Sequence, residues 1–180
     1  MQFETFSALM DIRRRWRYDY GKIIQLLLAI SFDARRAGFQ VQNHSIEGVD
    51  LEISQGAKKF AIEVKTTEKP YISLQYKDVC GLKTKATMYG CIPAIAVLRL
   101  RHTEDWSIAN AGRLLVGKCP LARLHLDRIT ELELLAKAHF GNTLTELHDR
   151  IMVPLNGSPL IYLSTVLKKE SQVRDQEGVA

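Results

Sequence analysis

From about Ile23 to Ala37 the apolar residues Ile23, Leu26, Leu27, Ile30 and Ala34 recur at the spacing of one helix face. Gly38 stands where a glycine stops a helix, with Arg35 and Arg36 in the last turn, so the pattern predicts a helix ending there. The period then shortens. Phe39-Gln40-Val41-Gln42 alternates and predicts a first strand, Val49 to Ser54 a second, and Lys59 to Lys65 a third. The turn-like Gln55-Gly56-Ala57-Lys58 lies between the last two and makes them a hairpin.

Helical spacing returns after Pro70, with Leu74, Val79, Leu82 and Ala86 in a segment closed by Gly90. Ile92 to Leu100 is a nearly continuous apolar run, which fits a buried strand lying parallel to its neighbour after a helical crossover. Trp106-Ser107-Ile108 is a candidate short strand. The order predicts an α/β fold: a mixed sheet flanked by helices, over residues 1–113.

The pattern beyond Arg113 is mainly helical. Asp127 to His139 carries Ile129, Leu132, Leu135 and Ala136 on one face and is followed by Phe140-Gly141. Thr143 to Met152 reads as another helix, Pro154 to Pro159 as a turn, and Leu160 to Leu167 as a strand or helix. Residues 114–167 are thus a small C-terminal extension packed on the first domain, and the polar residues 168–180 a frayed tail. The apolar face of the 127–139 helix suits core packing, with a dimer or partner surface as the alternative.

Composition adds modest constraints. Hydrophobic residues make up 46% and charged residues 25%, as in an ordinary globular protein. The net charge of +5 is compatible with a polyanionic partner, and its distribution is more telling than its sum. Arg13, Arg14, Arg15 and Arg17 cluster near the start, interleaved with Trp16 and Tyr18; Lys65, Lys69, Lys77, Lys83 and Lys85 follow the third strand. Cations among aromatic rings suit phosphate contacts and stacking, although a solvated helix face explains them equally. Cys80, Cys91 and Cys119 form no CxxC and leave an odd cysteine, which points to reduced thiols and a cytoplasmic protein. The apolar run at Ile23–Ile30 is too short to cross a bilayer, which needs ~20 residues.

The candidate chemistry lies in the hairpin. Twelve residues separate Asp50, at the end of Gly48-Val49-Asp50, from Glu63-Val64-Lys65, and pairing the strands sets the two carboxylates near one sheet end. Carboxylate oxygens are hard ligands suited to Mg²⁺, with Mn²⁺ as a substitute, and the Val64 carbonyl is a further candidate ligand. Such a site polarises a phosphodiester and activates water. Lys65 leaves the same strand face as Glu63, so its ammonium can steady the attacking hydroxide or the transition state. The plainer alternative is a solvated strand face, because Glu-x-Lys is a common triplet. His44-Ser45, in the loop before Asp50, can approach a phosphate, as can Thr66 and Thr67; strand propensity accounts for the threonines as well.

The surrounding pattern resembles a known family. A helix, Gly38-Phe39-x-Val41, Gly48-Val49-Asp50, Ile62-Glu63-Val64-Lys65, a polar segment with Gln75, a second helix, and Gly90-x-x-Pro93-Ala94-Ile95-Ala96-Val97 together resemble the PD-(D/E)xK nuclease superfamily. More closely, residues 20–110 are similar to the archaeal-type Holliday-junction resolvases. The resemblance implies a restriction-endonuclease-like fold, in which Asp50, Glu63 and Lys65 bind Mg²⁺ and activate water. It also implies that Gln75 opens the helix near the active centre, and that the protein is a homodimer cutting branched DNA. One position departs from the family, which carries a metal-site glutamate on its first helix, about eleven residues before the Gly-Phe pair. Leu27 falls there, Gln25 is the nearest polar residue, and no acidic residue lies between Asp19 and Asp33. Gln25, Glu47 and Glu52 are candidates to compensate. The leading expectation is a metal-dependent DNA endonuclease. The rivals are a restriction- or repair-type nuclease and a non-catalytic nucleic-acid-binding or assembly protein on the same fold.

Overall fold

The computed structural model describes residues 2–44, 49–100, 104–155 and 157–177. Two helices lead, α1 (Gln2–Arg15) and α2 (Tyr20–Phe32), followed by strands β1 (Gln40–Asn43), β2 (Leu51–Gln55), β3 (Lys58–Thr67) and β4 (Tyr71–Leu74). A π-helical turn (Lys77–Gly81) runs into α3 (Leu82–Tyr89), then come β5 (Ile92–Leu100), β6 (Glu104–Asn110) and β7 (Gly117–Pro120). The short α4 (Leu121–Leu124), a 3₁₀ turn (His125–Asp127), α5 (Thr130–Met152) and α6 (Pro159–Glu177) complete the described chain.

The main sheet has five strands in the order β1-β2-β3-β5-β6. The hairpin forms as expected, with Leu51 opposite Ile62 and Gln55 opposite Lys58. That leaves Gly56 and Ala57 as a two-residue loop, and Gly56 takes the left-handed φ of +57° that such a loop requires. β5 lies parallel to β3, with Glu63 beside Ile95 and Lys65 beside Val97, and β6 closes the edge antiparallel to β5. The fold is therefore the expected mixed α/β sheet with helices on its faces.

Alternation along β3 sorts its side chains between two cores. Phe60 and Ile62 join α2, α5 and Trp106 on one face; Ala61 joins Val79, Leu82 and Ala86 of the helical crossover on the other. Glu63 and Lys65 share the parity of Ala61, so they point toward the crossover. Residues of α5, among them Leu132, Ala136, Phe140 and Leu144, belong to the same buried cluster as α2 and the sheet. Phe140 meets Trp106 edge to face, with ring centroids 5.1 Å apart.

Several boundaries differ from the sequence expectations. α2 ends at Phe32, not Ala37. Asp33 turns extended, and its carbonyl accepts N–H groups from Arg36, Ala37 and Gly38, so Gly38 completes a turn after the helix, with φ +82°. α5 is a single helix of 23 residues that passes through Phe140-Gly141, because burial of Phe140, Thr143, Leu144 and Leu147 on one face outweighs the low helix propensity of glycine. α6 runs through Glu177, over ten residues assigned to a frayed tail. The α1 helix and the two-stranded β4–β7 pair had no expectation at all.

Candidate nuclease site

Asp50 sits just before β2, and its backbone N–H still donates to the Ile62 carbonyl across the hairpin at 2.9 Å. Its side chain folds back onto β3, where Oδ2 accepts the Val64 N–H at 2.7 Å. Val64 therefore serves the site through its backbone and clamps Asp50 to the strand that carries Glu63. Burial raises the Asp50 carboxyl above its ordinary value, against the lowering effects of the Val64 N–H and of the nearby Lys65 and Lys22 ammonium groups.

Glu63 is 7% exposed. Burial first, and the Asp50 charge second, push its pKa up to about 7, even though Lys65 pulls the other way. Lys65 Nζ lies 2.8 Å from Glu63 Oε1 and 3.0 Å from Asp78 Oδ1. Burial alone would depress the Lys65 ammonium, but these two carboxylates outweigh it and raise its pKa. The Lys65 ammonium thus bridges Glu63 and Asp78, and its charge also acts on Asp50.

Asp78 was not among the expected site residues. It lies in the π-helical turn, 4% exposed, and its second oxygen accepts the Gln75 N–H at 2.8 Å. Burial would raise this carboxyl, but the Gln75 N–H and Lys65 hold it below its ordinary value. The extra residue of the π turn allows Asp78 and Val79 both to face inward, the aspartate toward the ammonium and the valine into the core. The available signal was an aspartate three residues after Gln75 at a helix start, which reads as an ordinary helix-capping pattern.

The remaining expectations divide. Gln75 contributes its backbone N–H, while the residue itself is exposed. Gln25, 8% exposed on α2, donates from Nε2 to Asn43 Oδ1 at 2.7 Å and to the Asp50 carbonyl at 3.1 Å, so it does reach the site's edge. Glu52 is engaged outside this cluster. It points at His44, whose Nε2 is 3.4 Å from its carboxylate, and this pairing takes both side chains into one local contact. Ser45 and Glu47 lie outside the described residues.

Of the four arginines, Arg13 alone lines the cleft beside Lys65, where it ion-pairs with Glu68. Arg14 is paired with Asp11, and Arg15 lies over the Trp16 ring. Arg17 is exposed. Trp16 donates its indole N–H to the Ile151 carbonyl at 3.0 Å, so it staples α1 to α5 and is not a free stacking ring. Lys69 lines the same cleft as Arg13 and lies 5.6 Å from the Tyr71 ring centre. Thr66 also lines the cleft; the Thr67 hydroxyl is spent on the β3–β4 turn, donating to the Tyr71 carbonyl.

No protein-family model matches this chain, and no curated protein sequence does. Among solved structures, it is similar to Hjc, a Holliday junction resolvase from the archaeal hyperthermophile Archaeoglobus fulgidus, with a TM-score of 0.45 and 22% identity. That match covers 54% of this chain and 89% of the Hjc chain.

The donor chemistry fits a hard divalent cation. Burial raises both the Asp50 and the Glu63 carboxyl, and the Asp50 charge raises Glu63 further, so a cation would offset the cost of keeping both ionised, and all the available atoms are oxygens. Among the described residues no three His, Cys, Asp or Glu side chains are arranged to hold a metal ion. The chain would therefore supply two carboxylates and a backbone carbonyl, leaving other positions to substrate and water, as is usual for Mg²⁺. Among the described residues no helix is long and apolar enough to cross a membrane.

Proposed function

We propose that this protein is a Mg²⁺-dependent endonuclease that hydrolyses phosphodiester bonds in DNA, with branched junctions as its preferred substrate and a homodimer as its working form. The observation that carries this reading is the convergence of the Asp50 and Glu63 carboxylates with the Lys65 ammonium, on a strand pair held in register by Val64 and Asp50. Asp50 and Glu63, with the Val64 carbonyl, would hold the ion, which supplies Lewis-acid polarisation of a phosphate oxygen. Lys65, kept charged by Glu63 and Asp78, offsets negative charge that develops on the phosphoryl group during attack. Asp78 holds that ammonium in place. Gln25 braces the Asp50 backbone from α2. Preference for a junction rests on the resolvase-like motif order, not on this geometry.

A labelled four-way junction and a linear duplex, each incubated with Mg²⁺ or Mn²⁺, test the reading. Wild type should cut the junction faster, and Lys65→Ala should lose about 10²–10³-fold in rate, the size of a lost transition-state contact. A second reading, a non-catalytic nucleic-acid binder, is favoured by Gln25 in place of a carboxylate and by the lack of a three-carboxylate cation site among the described residues. It prevails if wild type and Lys65→Ala are equally inert while both bind DNA.

A further inference from the structure

Past the C-terminal half of β3 the surface opens into a cleft of about 350 Å³, lined by residues of α1, α2, β3, β4 and β5. Lys65, whose ammonium holds Glu63 and Asp78, is among the lining residues, although Asp50, Glu63 and Asp78 do not line the cleft themselves. Its other polar groups include Arg13, Lys69, Thr66 and Ser73, with Glu68 as its acidic member. Arg13 and Glu68 are bonded to each other. Tyr20 also lines the cleft, is 6% exposed, and has a buried hydroxyl with no hydrogen-bond partner among the described residues. Arg13 and Glu68 line the same cleft as Tyr20, and the charges of both act on its hydroxyl. Burial raises the Tyr20 pKa, so the group is a hydrogen-bond donor at any working pH.

An orphaned buried donor is unusual, because a folded chain nearly always pairs such groups. Here the orphan adjoins a cation whose present partner is an exposed carboxylate, 52% accessible and easily displaced. A cleft of this volume takes more than a single phosphate, and the buried Ile72 and Leu100 give it an apolar side against which a sugar can lie.

We propose that this cleft binds a nucleotide unit of the substrate strand next to the one being cut, with its phosphate on Arg13, Lys69 and the Tyr20 hydroxyl, and that Glu68 is a latch the phosphate must displace from Arg13. This deepens the nuclease reading and rests on it for the strand's direction toward Lys65. The Tyr20 hydroxyl separates this from simple basic attraction, which predicts tighter binding in Glu68→Gln as well but no change in Tyr20→Phe.

The test is fluorescence anisotropy with a labelled single-stranded oligonucleotide and a four-way junction, in EDTA so that cleavage plays no part. Glu68→Gln should tighten binding several-fold, Arg13→Ala should weaken it, and Tyr20→Phe should weaken it about tenfold, the loss of one hydrogen bond to a charged group. Circular dichroism and a melting curve for each variant check folding, and Tyr20→Phe keeps the ring that packs in the core. Wild-type affinity in both Tyr20→Phe and Glu68→Gln overturns the proposal. If Lys65→Ala loses cleavage but these two variants bind as wild type, the cleft fails and the nuclease reading stands. If nothing cleaves DNA yet the variants shift binding as expected, the cleft stands and the enzyme reading fails.

Discussion

Glu63 and Asp78 both reach Lys65, yet their protonation is pushed in opposite directions, and the reason is which neighbour each oxygen finds. Asp78 takes a backbone N–H from Gln75 in addition to Lys65, whereas Glu63 has the Asp50 charge nearby. Between the ordinary value of 4.5 and about 7 the folded protein therefore holds the Glu63 proton that the unfolded chain has released. Over that window this group makes stability fall as pH rises. A cation at Asp50 and Glu63 competes with the same proton, so Mg²⁺ affinity should climb up to tenfold per pH unit below about 7 and level off above it. Calorimetric titration in buffers of different ionisation enthalpy reads both the affinity and the released proton, and a flat profile from pH 6 to 8 would exclude Glu63 as a ligand. Asp78→Asn removes one of the two carboxylates that keep Lys65 charged. Its expected signature is an alkaline limb of the cleavage profile shifted to lower pH, with a loss of about tenfold in kcat and little change in KM. An unshifted limb would reduce Asp78 to a helix cap.

Elements carry the site by fixing which side chains share a face. β3 presents Glu63 and Lys65 to the helical crossover because their parity is that of Ala61, and the π turn at Lys77–Gly81 delivers Asp78 to meet them. On the opposite side, α5 is anchored at its start by Glu133, which is 2% exposed and holds Arg128, Lys137 and the Ile108 N–H of β6. Burial would raise this carboxyl, but Arg128 and Lys137 outweigh it, and its pKa is lowered. The stabilisation is therefore complete above the ordinary value of 4.5 and is lost as pH falls through the depressed folded value. Glu133→Gln should cost about 1–3 kcal/mol at neutral pH, the range for breaking a buried charged hydrogen-bond set. The gap between wild type and variant in urea melts should close as pH falls below the ordinary value of 4.5 and through the depressed one. A gap that stays constant with pH would mean that the pair carries little of the anchoring.

At the scale of the whole molecule, the C-terminal helices complete the core that supports the site. Trp106 and α2 meet Leu132, Ala136, Phe140 and Leu144 in a single buried cluster. A chain cut after residue 113 would expose that face, and it should lack cooperative unfolding and show dispersed signals neither by NMR nor by near-UV dichroism. A truncated protein that melts cooperatively would show that α5 and α6 are an accessory layer. The hairpin, the parallel return at β5 and the trio Asp50, Glu63 and Lys65 were legible in the sequence, because strand alternation and a two-residue turn are local and fix which side chains are near neighbours. The chain by itself also determined that α2 carries no acidic residue. Tertiary structure decided what stands around the trio. Asp78 reaches Lys65 only through a π turn, and Gln25 reaches Asp50 only through the packing of α2. Arg13 and Tyr20 come to one cleft with Lys69, although roughly fifty residues separate them in sequence. Contacts of that kind depend on register and on helix placement, which no local period encodes.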